Sequence, residues 1–278
     1  MTTELFDALR AADAQTPAAI ETFDLVVASD APLPDFYEYS IRATGSGSPC
    51  RLTYYFDVHR HGVQVALAAG ARFVELCRRQ ALPLPREISD FVLSEARASA
   101  EVQQVVLGIE AHGEQASDRA KYYLVFRDAP ATCVLEVLGR LGLDAPAGMD
   151  AARATILAVD VTREGVSDVK VYFRLSPSVA PRFIENVTDV SGLLATSRDL
   201  VLQQCVRRPE RRQLYLHTGH GAFLSEWLAH HGFAGLLDRA GAVTSKLQQG
   251  RLEPRIVSFP YQRRRLLLQA GTVYFHKS

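Results

Sequence analysis

The sequence predicts an α+β fold in which about ten antiparallel strands close into a barrel around a polar and aromatic lumen, with helices packed outside. Three observations carry this. First, five strand-like segments alternate basic or polar residues with aromatics: Arg51-Leu-Thr-Tyr-Tyr55-Phe-Asp57, Lys121-Tyr-Tyr123-Leu-Val-Phe-Arg127, Lys170-Val-Tyr172-Phe-Arg174, Gln213-Leu-Tyr215-Leu-His217 and Thr272-Val-Tyr274-Phe-His276. Side chains alternate faces along a strand, so each segment puts cations or polar groups and phenols on one face and mostly Leu, Val and Phe on the other. Second, the segments recur in hairpins that are each followed by a helical stretch, a supersecondary repeat of roughly 45–70 residues. Third, hairpins of successive antiparallel strands do not fit a parallel doubly wound sheet, whose strands need a crossover between every pair. Closure removes the unpaired edges, and with ten strands the lumen is wider than the eight-stranded case that side chains just fill. An open antiparallel sheet with one wet face is the competing arrangement.

The first unit opens with a strand over Glu38–Thr44, turns through Gly45-Ser-Gly-Ser-Pro49 and returns as Arg51–Val58. A Gly/Ser/Pro cluster between two such runs is a hairpin signal. Val63–Gln80 carries apolar residues at helical spacing, Pro83 and Pro85 end it, and a second helix is expected over Arg86–Ala98. The second unit pairs Val102–Ala111 with Arg119–Arg127 across residues 112–118. Pro130 then stands where a first helical turn tolerates it, and the helix runs to about Leu141, with Gly142 and Ala145–Gly148 as connector. The third unit pairs Thr155–Thr162 with Asp168–Leu175, followed by a long helical region over Val179–Val206. In the fourth, only the second strand, Gln213–Thr218, has a clear signature, and Phe223–Arg239 reads as a helix. Arg255–Phe259 and Leu266–His276 are the last strands. The whole chain, residues 1–278, is expected to form a single barrel domain.

Composition narrows the function classes. Lys+Arg 31 against Asp+Glu 31 gives zero formal net charge, so wholesale electrostatic capture of nucleic acid or an anionic membrane is not expected, and anion binding has to be local. No stretch has the roughly 20 consecutive apolar residues of a membrane span. The start, Met-Thr-Thr-Glu-Leu-Phe-Asp, lacks a basic and then apolar leader, and Cys50, Cys77, Cys133 and Cys205 show no metal-ligand spacing. A cytoplasmic protein with reduced thiols is the expectation. No phosphate-binding Gly-rich loop, nucleophile elbow or His-Glu-x-x-His motif occurs. Gly219-His-Gly221 reads as a turn and His230-His231 as a helix end. The run Arg263-Arg-Arg265, with Arg251 and Arg255 nearby, reads as a solvated face, and binding of an acidic peptide would be its sharper use.

The αββα repeat with strands of the form basic-x-Tyr resembles the aromatic prenyltransferase barrel (ABBA) superfamily, and most nearly its cyanobactin-type members, which prenylate ribosomally made peptides. The resemblance covers nearly the whole chain, through Leu33–Glu38, Val105–Glu110, Lys121–Asp128, Asp168–Tyr172, Leu214–His217 and Val273–Ser278. It rests on the order and spacing of these segments, since none is specific alone. It implies an alkyl-transferring enzyme that takes a dimethylallyl or longer isoprenyl diphosphate and modifies a peptide side chain or terminus, acting as a monomer. A small-molecule aromatic or indole prenyltransferase of the same fold is the alternative, and a non-catalytic lipid- or anion-binding barrel is the alternative from another class. The resemblance also implies magnesium, with ligands unknown, because no Asp-Asp-x-x-Asp run is present to hold it.

Such a reaction needs cations for a leaving diphosphate, electron-rich ring faces for an allylic cation, and a base near the acceptor. For the diphosphate the strands offer Arg51, Lys121 and Lys170, with Arg127 and Arg174 further along the same strands. The shield is Tyr123, Tyr172, Tyr215 and Tyr274, which share phase with the cations. Glu38 is the expected base, at about the position where the resemblance implies a catalytic glutamate. In a dry lumen its pKa should rise. Glu110 and Asp57 are further carboxylates, and His217 and His276 are acceptor-side candidates pointing inward.

Overall fold

The structure is a computed structural model that describes residues 2–12, 20–22, 36–43, 50–82, 102–111, 119–126, 131–145, 154–182 and 184–277. Its centre is one sheet of strands β1 (Phe36–Arg42), β2 (Cys50–Asp57), β3 (Val102–Ala111), β4 (Arg119–Phe126), β5 (Ala154–Thr162), β6 (Gly165–Leu175), β7 (Ser197–Cys205), β8 (Arg212–Thr218), β9 (Leu252–Gln262), β10 (Arg265–Leu266) and β11 (Thr272–Lys277). The order is β10-β9-β11-β1-β2-β3-β4-β5-β6-β7-β8, and β9 also pairs with β8. Ten long antiparallel strands therefore close on themselves, with β10 a two-residue addition on β9. Closure leaves none of the ten long strands with an open edge.

Alternation separates the two faces. Leu52, Tyr54 and Phe56 of β2, Tyr122 and Leu124 of β4, Val169 and Val171 of β6, and Val273 and Phe275 of β11 are all buried outside the lumen. The helix Val63–Arg79 lays Phe73 against Tyr122, ring centroids 6.3 Å apart. The helix Gly221–His230 lays Trp227 edge-on to Phe259 at 6.0 Å. None of the described helices is long and apolar enough to cross a membrane.

The expected strands of the first three units appear within about three residues of their predicted bounds. Three expectations are corrected. The single strand expected over Leu266–His276 is β10, a 3-10 turn over Leu268–Ala270 and β11. The helical region Val179–Val206 is instead a pair of 3-10 turns, the short helix Ser191–Thr196 and then β7. The stretch Leu200-Val-Leu-Gln-Gln204 reads as helix because Leu and Gln are good helix formers, but Gln203 and Gln204 are buried within the sheet and disguise the strand alternation. The single helix Phe223–Arg239 is two, Gly221–His230 and Ala234–Thr244. Between them Gly232 takes φ +85°, with Phe233 N–H donating to Leu228 O at 2.9 Å and Gly232 N–H to Ala229 O at 3.4 Å, a helix-ending pair that needs a left-handed residue. The expected helix Arg86–Ala98, the turns 45–49 and 112–118, and Arg127 lie outside the described residues.

Gly271 leads into β11, the strand that carries Tyr274 and His276. A Cβ there would lie 2.8 Å from Phe259 and 3.0 Å from Phe233, both buried rings. Gly271→Ala should therefore cost about 1–3 kcal/mol by overpacking. In contrast Gly241→Ala, in a helix with nothing within 4 Å, should gain up to about 1 kcal/mol. Urea unfolding of the two variants checks the opposite signs.

Candidate active site

Register decides which residues share a level of the lumen. Lys121 pairs with Gly108 on one side and Asp160 on the other, Arg51 with Ser40 and Glu110, and Glu38 with Thr53 and His276. The odd-to-even hairpins all turn at the same end of the barrel, so that end collects Arg42, Arg51, Arg119, Lys121 and Lys170. The opposite end, where helices connect the strands, collects Glu38, His217 and His276. The lumen holds two adjoining chambers.

The chamber at the hairpin end, about 420 Å³, is lined by those five cations together with Ser40, Glu110, Gln203, Gln213, Tyr215, Thr272 and Tyr274. Lys121 Nζ lies 3.1 Å from Glu110 Oε2 and 3.5 Å from Asp160 Oδ2, and Lys170 also contacts Asp160 Oδ2. Arg119 reaches the same two carboxylates at 3.7 Å. Burial raises the Asp160 carboxyl, but Lys121, Lys170 and Arg119 outweigh it and hold it at about 2. Burial likewise opposes ionisation of Glu110, which Lys121 and Arg119 nonetheless keep well below the usual carboxylate range. Five cations against two carboxylates leave this chamber positive. The Nε of Arg51 and of Arg119 are buried with no hydrogen-bond partner, which is costly unless an anion arrives. Among the described residues no group of three or more His, Cys, Asp or Glu could hold a metal ion. With Glu110 and Asp160 already engaged by lysine, these residues do not fit a protein-held magnesium.

The second chamber, about 560 Å³, is mostly apolar and aromatic: Tyr55, Val106, Tyr123, Val125, Ile156, Tyr172, Val201, Tyr215, Ile256 and Tyr274 surround Glu38, Arg51, Thr53 and His217. Tyr123, Tyr172, Tyr215 and Tyr274 form an unbroken arc, with successive ring centroids 6.1, 5.7 and 5.7 Å apart. Burial pushes the Tyr123 phenol up to about 12 and those of Tyr172 and Tyr215 well above their ordinary value, so all three stay neutral.

Arg51 lines both chambers. Its guanidinium donates to Tyr123 Oη at 3.3 Å, stands 5.0 Å from the Tyr274 ring centroid and 3.9 Å from Glu38 Oε1. Glu38 is buried, with Oε2 3.1 Å from His276 Nε2. The expected rise in its pKa is corrected: burial does push it up, but the hydrogen bond and charge of His276, then Arg51, more than offset this and hold it below its ordinary value. His217 also faces the chamber, and burial lowers its imidazole pKa against the opposing pull of Glu38.

Of the predicted site residues, Arg51, Lys121 and Lys170 thus meet at one end, joined by Glu110, and Glu38, His217 and His276 at the other, with the four tyrosines beside Glu38. Two do not join them. Arg174 lies four residues beyond Lys170 at the far mouth, exposed, 3.8 Å from Asp199. Asp57 caps the short helix Val58–His61, accepting from the N–H groups of His59 and Arg60. Sequence reasoning missed Arg42, Arg119, Asp160 and Tyr55. Tyr55 shares the phase of Arg51, whereas its neighbour Tyr54 faces outward, and phase alone separates them. Tyr55 stacks on Phe36 with centroids 3.9 Å apart.

Comparison with solved structures matches the overall fold. A 5-dimethylallyltryptophan synthase from Streptomyces coelicolor is 21% identical with a TM-score of 0.65, over 100% of this chain and 95% of that one. The prenyltransferase PriB, in a ternary complex with L-tryptophan and dimethylallyl thiolodiphosphate, is 16% identical with a TM-score of 0.68, over 100% and 94%. A 6-dimethylallyltryptophan synthase from Micromonospora olivasterospora is 19% identical with a TM-score of 0.59, over 86% and 81%. No family model and no curated protein sequence matches the chain. At these identities the likeness establishes the fold: this is the αββα barrel of aromatic prenyltransferases.

The carboxylates of the cationic chamber carry a pH dependence. A carboxyl whose folded pKa is depressed contributes stability that is complete above its unfolded pKa and is lost as pH falls through the folded one. For Asp160 that window runs from 3.8 down to about 2. Unfolding free energy should fall steeply across it, and Asp160→Asn should flatten the slope there while lowering stability at neutral pH. Urea titrations at pH steps across the window measure both.

Proposed function

We propose that this protein is a prenyltransferase that moves a dimethylallyl or longer allylic group from its diphosphate to an aromatic small molecule of indole type. The observation that carries this reading is the adjoining pair of chambers, one cationic and one walled by tyrosines around a single buried carboxylate, bridged by Arg51. The diphosphate sits among Arg51, Lys121 and Lys170, with Arg42 and Arg119 behind them. As the allylic C–O bond breaks, its electron pair leaves with the diphosphate, and fixed cations stabilise the growing charge. The allylic cation left behind meets the faces of Tyr123, Tyr172, Tyr215 and Tyr274, which are attractive to cations and exclude water. An aromatic carbon of the acceptor attacks, forming the new C–C bond. The ring proton then passes to the released diphosphate, and aromaticity is restored. Glu38, ionised and oriented by His276, accepts a hydrogen bond from the acceptor's N–H or O–H and makes its ring more electron-rich.

The acceptor class follows from two supports. The chamber beside Glu38 is compact and aromatic, and the solved structures of like fold include dimethylallyltryptophan synthases and complexes with tryptophan. These favour the small-molecule alternative over the peptide acceptor of the cyanobactin-type resemblance. Magnesium is assigned no protein ligands, since the cations themselves neutralise the donor. Incubation with dimethylallyl diphosphate and, in parallel, tryptophan, simple indoles and mixed peptides, followed by mass spectrometry, tests the reading. A gain of one prenyl unit on the indoles supports it, a gain on the peptides alone restores the peptide reading, and no gain on any acceptor by folded protein leaves a non-catalytic binding barrel.

Two substitutions separate the roles. Glu38→Gln should lower kcat by about 10²–10⁴ with donor affinity nearly intact. Lys121→Ala and Lys170→Ala should each weaken donor binding by about 10- to 100-fold, the worth of one charge-assisted hydrogen bond. Titration with a non-reactive thiolodiphosphate donor, alongside steady-state kinetics, distinguishes the two effects.

A further inference from the structure

The outer rim of the hairpin end is as unbalanced as the chamber behind it. Three described turns at this end, Arg163–Glu164, Arg207–Arg212 and Arg263–Arg265, carry eight arginines and two glutamates. Because the whole chain has zero formal net charge, the remainder carries the compensating negative excess. Arg163, Arg207, Arg211, Arg263 and Arg265 are exposed. A surface groove of about 1000 Å³ runs among Glu210, Arg211, Arg212, Tyr261, Arg263 and Arg264. It lies on the outer face of β8 and β9, where Arg212 pairs with Tyr261, while the next residue, Gln213, turns inward to the cationic chamber.

The rim is also held in an unfavourable backbone state. Arg263 and Arg264 have φ of +47° and +63°, the left-handed region where Asn or Gly is the ordinary choice. The turn is latched there: Glu185 N–H donates to Arg264 O at 2.7 Å, and Asn186 exchanges hydrogen bonds with the backbone of Leu266 at 3.0 and 3.1 Å. Two arginines at positions that disfavour them are consistent with selection for charge at this place.

We propose that this arginine rim is the electrostatic funnel through which the allylic diphosphate reaches the lumen and the free diphosphate leaves. The inference rests on the donor chemistry proposed above and adds the route. A donor captured here by its charged head inserts its apolar tail first, towards the tyrosines, and its head stops among Arg51, Lys121 and Lys170 next to the mouth. Like-signed charge lining a cleft raises association rates of an oppositely charged ligand by roughly 10–10³, and salt removes the effect.

The test is stopped-flow association of dimethylallyl thiolodiphosphate, a non-reactive donor, with the full chain at a series of ionic strengths. For the native protein the association rate should fall steeply with salt while the dissociation rate changes little. The triple variant Arg207→Glu, Arg211→Glu, Arg265→Glu lies outside the lumen and should associate at least about tenfold more slowly at low salt, with a flattened salt slope. Arg263→Asn, which suits the left-handed backbone, provides a milder variant expected to fold and to slow association by a smaller factor. Salt-independent association, or association unchanged in both variants, overturns the funnel even if transfer to indoles is observed. Normal steered association without any prenyl transfer keeps the funnel and refutes the proposed reaction. Co-sedimentation of the native protein with anionic vesicles, combined with unchanged association in the variants, would reassign the rim to a membrane surface and also overturn it.

Discussion

Burying Lys121 and Lys170 inside the barrel is the constraint from which the rest of the site follows. An isolated buried ammonium is expensive, and burying it without partners would instead neutralise it. Asp160 and Glu110 lie at the same level of neighbouring strands and supply carboxylates at hydrogen-bonding distance. That compensation is partial: Arg42, Arg51 and Arg119 share the chamber with the two lysines, and the next buried carboxylate at this end, Asp168, is engaged by Arg208 at 2.8 Å. A site of this kind is stable enough to persist when empty and still gains from an added anion. The competing carboxylates set how much of that gain remains for a ligand.

Arg51 gives the two chambers a common boundary. It reaches the tyrosine arc through Tyr123 and Tyr274 and the opposite end of the lumen through Glu38. In the proposed reaction the same side chain would therefore face the leaving diphosphate and lie beside the carboxylate that engages the acceptor. Glu38 stays ionised because His276 and Arg51 outweigh its burial. An ionised carboxylate accepts a hydrogen bond from an indole-type N–H more strongly than a neutral acid would, which suits it to activating a ring rather than delivering a proton.

Much of the barrel was legible in the sequence because closure makes every strand one-sided in the same sense. The phase that places Tyr123 with Lys121 also places Tyr274 with Thr272, and the structure shows these positions sharing a lumen. What failed did so where that alternation is masked. β7 puts Gln203 on the lumen face and Gln204 on the outer face, so polar residues stand on both sides, and both read as helix formers. The pKa of Glu38 was misjudged because its partner His276 is 238 residues away and only the β1–β11 pairing brings them together. Arg174 was grouped with Lys170 by shared phase, but phase gives the face and not the height along the strand. Asp57 has the correct phase too, yet its carboxylate is committed to a helix start.

Height along the strand also explains how a chain of zero net charge comes to hold a local cationic site. Equal totals of acid and base describe a sum, whereas the antiparallel up-and-down path sorts residues by end. Among the described residues, the hairpin turns 163–164, 206–211 and 263–264 fall at the end of the cationic chamber, and the α-helices that connect strands start from the other. A sequence that places arginines in three of these turns therefore gathers positive charge at one end while remaining neutral overall. The zero net charge is then compatible with avid local capture of an anion, because the field that a small ligand meets is that of one end and is screened from the other within about 10 Å at ordinary salt.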